Sequence, residues 1–339
     1  LYYIISNSSD EKYINKRGAV LSLDKLGSTT NFTAIGTVNN YIMSGIQVED
    51  KHLLLIGYSQ KNEEWSRIYL TKLNKNMEIV WEANYGSFNN DNKGYAIIQL
   101  NSNEYWVLGY TKASKNGVLL LKIDTNGKEK WFTYLPDLVC TFANNLILTK
   151  NQDLIISGQN KNQLFVARLD KEGNVLWQYN YNDDKKYHRS YDIKETKDGG
   201  FIIIGNSTAT KNNSYDILII KLSKNGDKEW VKTIGNNTNE VAYDVEINKD
   251  YGYIVSGHAL TDKSNHIYNS FIIKIDSLGN RISRFNFNDS SNKLYDLTLD
   301  YNKKLDALSY VGTGNIFNKE NKESSIWFIK INDSLFNEY

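Results

Sequence analysis

Three tyrosine–aspartate pairs recur at equal spacing in the second half of the chain and are its clearest candidates for chemistry. They are Tyr191-Asp192, Tyr243-Asp244 and Tyr295-Asp296. We expect each pair to lie where the first strand of a repeated unit enters the centre of the fold, so that three carboxylates converge. Converging carboxylates bind a cation or a polar ligand. Alternatively, each Asp accepts backbone N–H groups from the neighbouring unit, and both interpretations stay open here.

Signals for metal binding and acid–base catalysis are sparse. The four histidines, His52, His188, His258 and His266, show neither HxH nor HExxH spacing. The chain has no Gly-x-Ser-x-Gly motif, no cysteine–histidine pair and no phosphate-binding glycine loop. We therefore predict no catalytic residues, no metal site and no cofactor. The alternative is a glycan-active hydrolase or lyase that uses Asp192, Asp244 and Asp296 with His188.

Aromatic side chains in long polar connections offer the best material for binding a ligand or a partner. The candidates are Tyr58, Trp65, Tyr110, Tyr187, Tyr215 and Tyr268, with Tyr13 and Phe317 as further members. Rigid aromatic rings provide contact area at a low cost in conformational entropy. Hydrophobic anchoring of the loops themselves is the other interpretation of these residues.

The elements that position these residues come from an internal repeat of about 50 residues. Its clearest copy covers residues 191–235 and contains four short strands, at 191–195, 201–205, 216–222 and 228–234. A small residue that ends the second strand marks seven copies: Ser6, Gly57, Gly109, Gly158, Gly205, Gly257 and Ser309. The residue that opens the turn after the third strand also marks seven: Asp24, Asn74, Asp124, Asp170, Ser223, Asp276 and Asn332.

Seven copies of a four-stranded unit, without helical segments between them, predict an all-β, seven-bladed β-propeller of four-stranded antiparallel blades. The second and third strands read as continuous apolar runs, which indicates burial on both faces. We predict a single propeller over residues 1–339, with blades at about 1–36, 41–86, 93–136, 140–181, 189–235, 241–287 and 293–339. One strand is missing from the count, because residues 1–6 match a second strand. Either residues upstream supply it or the first blade has three strands.

The composition adds few constraints. The net charge of +1 gives no electrostatic reason to expect nucleic acid as a partner. The single cysteine, Cys140, follows an apolar stretch and is expected to be a buried, inert thiol. The Trp residues seven positions after the turn marker (Trp81, Trp131, Trp177 and Trp230) are expected to pack between blades.

Two motifs carry a resemblance to known families. Residues 123–131 and 169–177 resemble the Asp-x-x-x-Gly-x-x-x-Trp tryptophan-docking repeat of quinoprotein-like propellers, with one residue fewer before the glycine. The run Asp-Gly-Gly-Phe-Ile-Ile-Ile-Gly at 198–205, with the Lys-Leu-x-x-x-Gly turn, resembles repeats of surface and secreted lipoproteins of Bacteroidetes. The resemblance covers nearly the whole chain and is shared by proteins of many functions.

The resemblance implies a non-catalytic propeller on the bacterial cell surface, lipid-anchored at the outer membrane. Its expected partner is an outer-membrane transporter or a protein of a secretion complex. We expect the long polar connections with their aromatic residues to emerge on one face of the propeller, and this face to bind the partner. A glycan, a peptide or a small molecule is a further possible ligand of the same face. The identity of that ligand and the oligomeric state do not follow from the sequence.

Overall fold

The structure is a computed structural model. It describes residues 1–9, 16–36, 39–61, 65–87, 90–112, 116–135, 138, 140–183, 187–208, 214–235, 238–248, 252–288, 290–302, 307–318 and 323–333. The predicted last strand, at 334–339, and the candidate Tyr13 lie outside the described residues.

The described residues form 26 β-strands and no α-helix, as the sequence predicts. None of them belongs to a helix long and apolar enough to cross a membrane. The strands of the first four repeats are β1 (Tyr2–Ser9), β2 (Lys16–Leu23), β3 (Thr29–Ile35), β4 (Asn40–Gln47), β5 (Leu53–Lys61), β6 (Trp65–Leu73), β7 (Ile79–Tyr85), β8 (Asp91–Asn101), β9 (Glu104–Lys112), β10 (Asn116–Asp124), β11 (Glu129–Tyr134), β12 (Phe142–Leu148), β13 (Leu154–Asn160), β14 (Gln163–Leu169) and β15 (Val175–Tyr181). Those of the last three repeats are β16 (His188–Glu195), β17 (Phe201–Thr208), β18 (Tyr215–Leu222), β19 (Lys228–Ile234), β20 (Glu240–Ile247), β21 (Tyr253–Asp262), β22 (Ile267–Ile275), β23 (Arg281–Phe287), β24 (Ser291–Asn302), β25 (Ala307–Asn318) and β26 (Glu323–Asn332).

Consecutive strands pair in sheets that follow the predicted repeats. Five repeats have four strands each, namely β4–β7, β8–β11, β12–β15, β16–β19 and β20–β23. Among the described residues the first and last repeats have three, β1–β3 and β24–β26. One parallel pairing, of Arg17 with Asn40, joins the first two repeats into a seven-stranded sheet. This architecture confirms the predicted all-β fold of repeated antiparallel blades.

The chain divides into two compact units. The first comprises Leu1–Lys161 with Ala167–Gln178, and the second comprises Asn162–Val166 with Tyr179–Tyr339. The core of each unit consists of the second and third strands of its repeats. In the second unit, residues 201–204 and 217–220 expose at most 1% of their surface, so these strands are buried on both faces as predicted.

The first strand of six repeats carries a β-bulge at the same place. The residues that the pairing skips are Met43, Tyr95, Asn144, Tyr191, Tyr243 and Tyr295. The residue before each bulge pairs with a glycine of the second strand: Gly57, Gly109, Gly158, Gly205, Gly257 and Gly314. A methyl group on Gly205 would overlap the carbonyl oxygen of Arg189. The recurring glycine is required because the bulged strand lies against its backbone.

This geometry corrects the marker of the seventh repeat. The sequence spacing predicts Ser309 at the glycine position, but Ser309 pairs with Asn332 far from the bulge. Gly314 is the residue that pairs with Leu294 beside the bulge. The prediction was wrong because β25 has 12 residues where β17 has 8, so a fixed interval falls short of the bulge.

The turn after the third strand has the predicted chemistry. In the third repeat, Asp124 Oδ1 accepts the backbone N–H groups of Asn126 and Lys128, each at 2.9 Å. Gly127 has a φ of +79°, in the left-handed region that glycine tolerates best. Met77 occupies this position in the second repeat with a φ of +68°, so the turn keeps its shape without glycine.

Tryptophans of the fourth strands pack on these turns of the following repeat, as predicted. The pairs are Trp81 with Gly127, Trp131 with Gly173 and Trp230 with Gly279. The indole Nε1 of Trp81 also donates a hydrogen bond to the carbonyl oxygen of Thr125 at 3.0 Å. Within each unit these indoles therefore join neighbouring blades. Cys140 is likewise buried as expected, and burial raises the pKa of its thiol to about 12.

Several segments predicted as long loops are extensions of strands. The sequence predicts a connection over 258–269, but β21 continues to Asp262 and β22 begins at Ile267. Tyr268 therefore lies in a strand, and Tyr58 and Tyr110 do so too. The prediction was wrong because polar side chains mark solvent exposure, whereas backbone pairing continues through a hairpin whatever its side chains are.

The glycine beside the bulge yields a direct test. Replacing Gly205 by alanine places a methyl group against the carbonyl of Arg189 in a backbone contact that no side chain can relieve. We expect G205A to lower the free energy of unfolding by about 2–3 kcal/mol. The measurement is urea denaturation followed by tryptophan fluorescence. Gly117 is the matched control, since a Cβ there meets no atom within 4 Å. Equal stability of G205A and G117A would contradict the close contact.

Candidate functional site

The second unit brings the three Tyr–Asp pairs together, because each follows the bulge of a first strand, in β16, β20 and β24. Asp192 accepts the backbone N–H of Val245 at 3.2 Å. Asp244 accepts the backbone N–H of Leu297 at 3.0 Å in the equivalent way. Each of these two carboxylates thus binds the first strand of the next blade. The interpretation of the Asp residues as acceptors for neighbouring backbone is confirmed for this pair.

Lys194 occupies the place among the carboxylates where the sequence allows a bound cation. Its Nζ lies 3.1 Å from Glu246, 3.8 Å from Asp192 and 3.9 Å from Asp244. The surrounding carboxylates raise the pKa of Lys194 above its usual value, against the opposing effect of burial. The described residues contain no group of three His, Cys, Asp or Glu side chains arranged to hold a metal ion.

The carboxylates themselves are harder to ionise than usual. Burial, and then the negative charge of Asp192, raise the pKa of Asp244 well above its ordinary value. Burial also raises the pKa of Glu246. Asp296 is exposed to solvent, and its pKa is also raised, because neighbouring protein atoms partly desolvate its carboxyl group. The ionised forms of these carboxylates are therefore stabilised mainly by the positive charge of Lys194.

Beside this acidic group lies a cluster of aromatic rings. We define the tyrosine cluster as Tyr191, Tyr243, Tyr268 and Tyr295 with His258. The ring centroids of Tyr191 and Tyr243 are 4.8 Å apart, and those of Tyr243 and Tyr295 are 5.3 Å apart. The bulge tyrosines of three consecutive blades therefore form a continuous row. Tyr295 is 38% exposed, which opens this row to solvent.

His258 fills the space between the tyrosines of the cluster. Its ring stacks on Tyr243 at 5.2 Å and contacts Tyr268 edge-on at 5.3 Å. The side chain is buried, and its Nδ1 has no hydrogen-bond partner among the described residues. Burial, helped by the charge of Lys293, lowers the pKa of His258 to about 3. The imidazole is therefore neutral at physiological pH.

Two cationic side chains flank the cluster. The guanidinium carbon of Arg189 lies 5.1 Å from the centroid of the Tyr191 ring. The ammonium of Lys293 lies 3.8 Å from the centroid of the Tyr268 ring. Both distances are within the range of cation–π attraction. The cluster thus combines aromatic surface with positive charge.

The aromatic residues predicted from the sequence fall into two groups. In the second unit, Tyr268 belongs to the cluster, and Tyr187 and Tyr215 lie near enough to Tyr191 to contribute to the raising of its pKa. The backbone N–H of Tyr187 donates to Thr208 Oγ1 at 2.8 Å, and that of Tyr215 donates to Asn239 Oδ1 at 3.0 Å.

The other three predicted aromatics belong to the first unit. Tyr58 stacks on Tyr41 with ring centroids 4.5 Å apart, and Lys93 lies 4.8 Å from the centroid of the Tyr58 ring. The ring centroids of Tyr110 and Phe142 are 6.3 Å apart. Trp65 is 47% exposed at the start of β6.

The sequence prediction missed several residues of the cluster. Tyr191, Tyr243 and Tyr295 were visible in the Tyr–Asp repeat, but the interpretation took the acid of each pair as the binding group. Lys293 and Arg189 each precede a bulge tyrosine by two residues, which was a further available signal. The histidine of the hydrolase alternative, His188, is fully buried with its ring edge-on to Tyr181.

Comparison with known proteins identifies the fold and no family. No protein-family model and no curated protein matches the sequence. The BP39L lectin from Burkholderia pseudomallei is similar in structure, with a TM-score of 0.63 and 7% identity over 96% of this chain and 92% of its own. A protein of unknown function from Dyadobacter fermentans has a TM-score of 0.53 and 11% identity over 87% of this chain and 95% of its own. The Dos1 propeller has a TM-score of 0.51 and 14% identity over 91% of this chain and 75% of its own.

At such identities the likeness shows the fold alone, which is that of a β-propeller. The fold predicted from the repeats is therefore confirmed. The resemblance to quinoprotein-like repeats and to lipoproteins of Bacteroidetes stays a prediction.

The position of Lys194 among the carboxylates predicts a stability change that depends on pH. We expect K194M to lower the free energy of unfolding at pH 7 by about 2–3 kcal/mol, less than for a fully buried ion pair because Lys194 is partly exposed. Acids with a raised pKa in the folded state favour folding when protonated. The loss should therefore shrink as the pH falls from the raised pKa of Asp244 towards its unfolded value of 3.8.

The matched control for this change is D244N, which removes a charge but keeps an oxygen to accept the Leu297 N–H. We expect D244N to be at least as stable as the wild type at pH 7, because the ionised form is the disfavoured one. The measurement is urea denaturation of both variants across the acidic range. A pH-independent loss in K194M, or a large loss in D244N, would refute this electrostatic account.

Proposed function

We propose that this protein is a non-catalytic binding propeller that takes a carbohydrate ligand at the tyrosine cluster of the second unit. The observation that carries the proposal is the solvent-accessible row of bulge tyrosines, which ends at the exposed Tyr295. Aromatic faces accept the C–H faces of sugar rings, and phenolic hydroxyl groups supply hydrogen bonds beside them. Such a surface is ready for a ligand without rearrangement of the chain.

The carboxylates support a binding role better than a catalytic one. The raised pKa of Asp244 is a property that a general acid also has. However, its side chain is only 8% exposed and accepts the N–H of Leu297, so it has little access to a substrate. The ionisation of its neighbours is balanced by Lys194. This arrangement accounts for Asp192 and Asp244 as structural groups.

The fold comparison is consistent with the proposal. A protein named as a lectin shares this architecture over nearly the whole of both chains. The fold supports binding proteins and enzymes alike, so the argument rests on the tyrosine cluster.

The finer proposal concerns cellular place and partner. We infer, from the resemblance of the repeats to those of surface lipoproteins of Bacteroidetes, that the protein is held at the outer surface of a bacterium. There it would act as an accessory of an outer-membrane transporter or secretion complex. In that setting a carbohydrate-binding propeller captures ligand next to a route of uptake or export.

The binding role is tested by screening the protein on an array of neutral and acidic oligosaccharides. We expect binding, and we expect Y295A to weaken it about tenfold or more, because the exposed ring supplies contact area to the sugar. Tyr301 is the matched control, since it is an exposed tyrosine of the same strand, outside the cluster. Mass spectrometry should recover the bound oligosaccharide intact. Cleavage would favour the hydrolase alternative, and an array without any signal would remove the proposal.

The partner is tested by purifying the tagged protein from its native membranes in mild detergent. We expect a stoichiometric outer-membrane protein to co-purify, since an accessory subunit stays bound to its complex. Identification by mass spectrometry against an untagged strain provides the control. Recovery of the protein alone would contradict the accessory role and leave the carbohydrate proposal unaffected.

A further inference from the structure

Lys293 is a half-buried lysine without a counter-ion among the residues that the structure describes. Lys72 lies 2.9 Å from Asp50, and Lys221 lies 2.9 Å from Asp198. Lys194 lies among three carboxylates, as described above. The described residues provide no carboxylate within ion-pair distance of Lys293, whose ammonium instead lies over the Tyr268 ring.

Partial burial is the main influence on the pKa of Lys293. Desolvation lowers the pKa of its ammonium, and no carboxylate among the described residues counteracts this effect. Lysine is still protonated at neutral pH, so a charge lies partly removed from water with only an aromatic ring beside it. A partly desolvated charge of this kind is costly to the folded protein and gains most from an anion that enters from outside.

The equivalent position of the third repeat, in the first unit, carries a lysine that has a carboxylate as its counter-ion. Lys93 also precedes a bulge tyrosine by two residues and also lies over a tyrosine ring, at 4.8 Å from Tyr58. Its ammonium, however, is 3.9 Å from the carboxylate of Asp91, two residues earlier. At the equivalent place before Lys293 the chain has Ser291. The two sites share a backbone and differ in whether the charge is matched.

The surroundings of Lys293 determine what kind of anion fits. His258 is neutral, so it adds no charge to this side of the cluster. Tyr268 offers its ring face to the ammonium, and Tyr295, which belongs to the same cluster, is open to solvent. A ligand that satisfies both features has a negative group attached to a ring with an apolar face.

We propose that the ligand of the tyrosine cluster is an acidic saccharide and that Lys293 binds its negative group while the tyrosines pack against the sugar ring. This inference rests on the proposed carbohydrate-binding function and specifies its ligand class. A uronic-acid carboxylate and a sulfate ester present the same chemistry to a lysine, which acts as a point charge. Lys293 is thus the residue that determines specificity for charge.

The test compares wild type, K293M and K93M on four sets of immobilised oligosaccharides: neutral, uronate-containing, uronate methyl esters, and sulfated. We expect the wild type to prefer the acidic sets over neutral ones by about tenfold or more, as a charge-assisted hydrogen bond provides. K293M should lose this preference and keep its binding of neutral sugars, whereas K93M should bind as the wild type does. K293R should restore the preference.

The possible outcomes distinguish a failure of this inference from a failure of the proposed carbohydrate-binding function. Loss of the preference in K293M alone supports the inference, and the uronate and sulfated sets show which anion is bound. Equal binding of neutral and acidic sets by the wild type, or an unchanged preference in K293M, overturns the inference and leaves the carbohydrate function in place. No binding to any set overturns both. Urea denaturation checks that K293M folds, and we expect no loss of stability because an unpaired charge is removed.

Discussion

The blades of this protein are organised around one close backbone contact, between a β-bulge in the first strand and a glycine in the second. Six repeats have this contact among the described residues. The extra residue of the bulge shifts the register, so that in the second unit a tyrosine and the aspartate after it both reach the neighbouring blade. The aspartate of one blade binds the backbone of the next, as Asp192 does with Val245. The same local irregularity therefore links blades and assembles the tyrosine cluster, because it changes the direction of two consecutive side chains.

Two partly buried lysines of the second unit, Lys194 and Lys293, differ in the groups that surround their charge. Lys194 lies among more carboxylates than it can neutralise, so those acids are harder to ionise than usual. Lys293 has a tyrosine ring beside it and, among the described residues, no acid. The first arrangement is complete within the protein, since its oxygens also accept backbone N–H groups. The second has no counter-ion among the described residues, which is why we propose that Lys293 binds a charged ligand.

The repeats share a backbone but not a surface. At the bulge and the position after it, three blades carry Tyr and Asp, whereas the second repeat has Met43 and Ser44 and the fourth has Asn144 and Asn145. The fold is similar to that of a lectin and of other propellers at identities of 7–14%, so a shared fold implies little about the side chains that the blades carry. Function in such a scaffold depends on the side chains that the bulge presents.

The sequence by itself determined the strands, their repetition and the packing of the tryptophans, because these depend on local signals. The left-handed φ of Gly127 follows from the glycine in its turn, and the burial of residues 201–204 follows from their continuous apolar run. Both signals lie within a few residues of the feature that they predict. Only the tertiary structure decided that Gly314 and not Ser309 faces the bulge of the seventh repeat, that Tyr268 lies in a strand, and that Lys194 lies among the acids. These facts depend on strand register and on contacts between residues about 50 positions apart in the repeat, which no local pattern specifies.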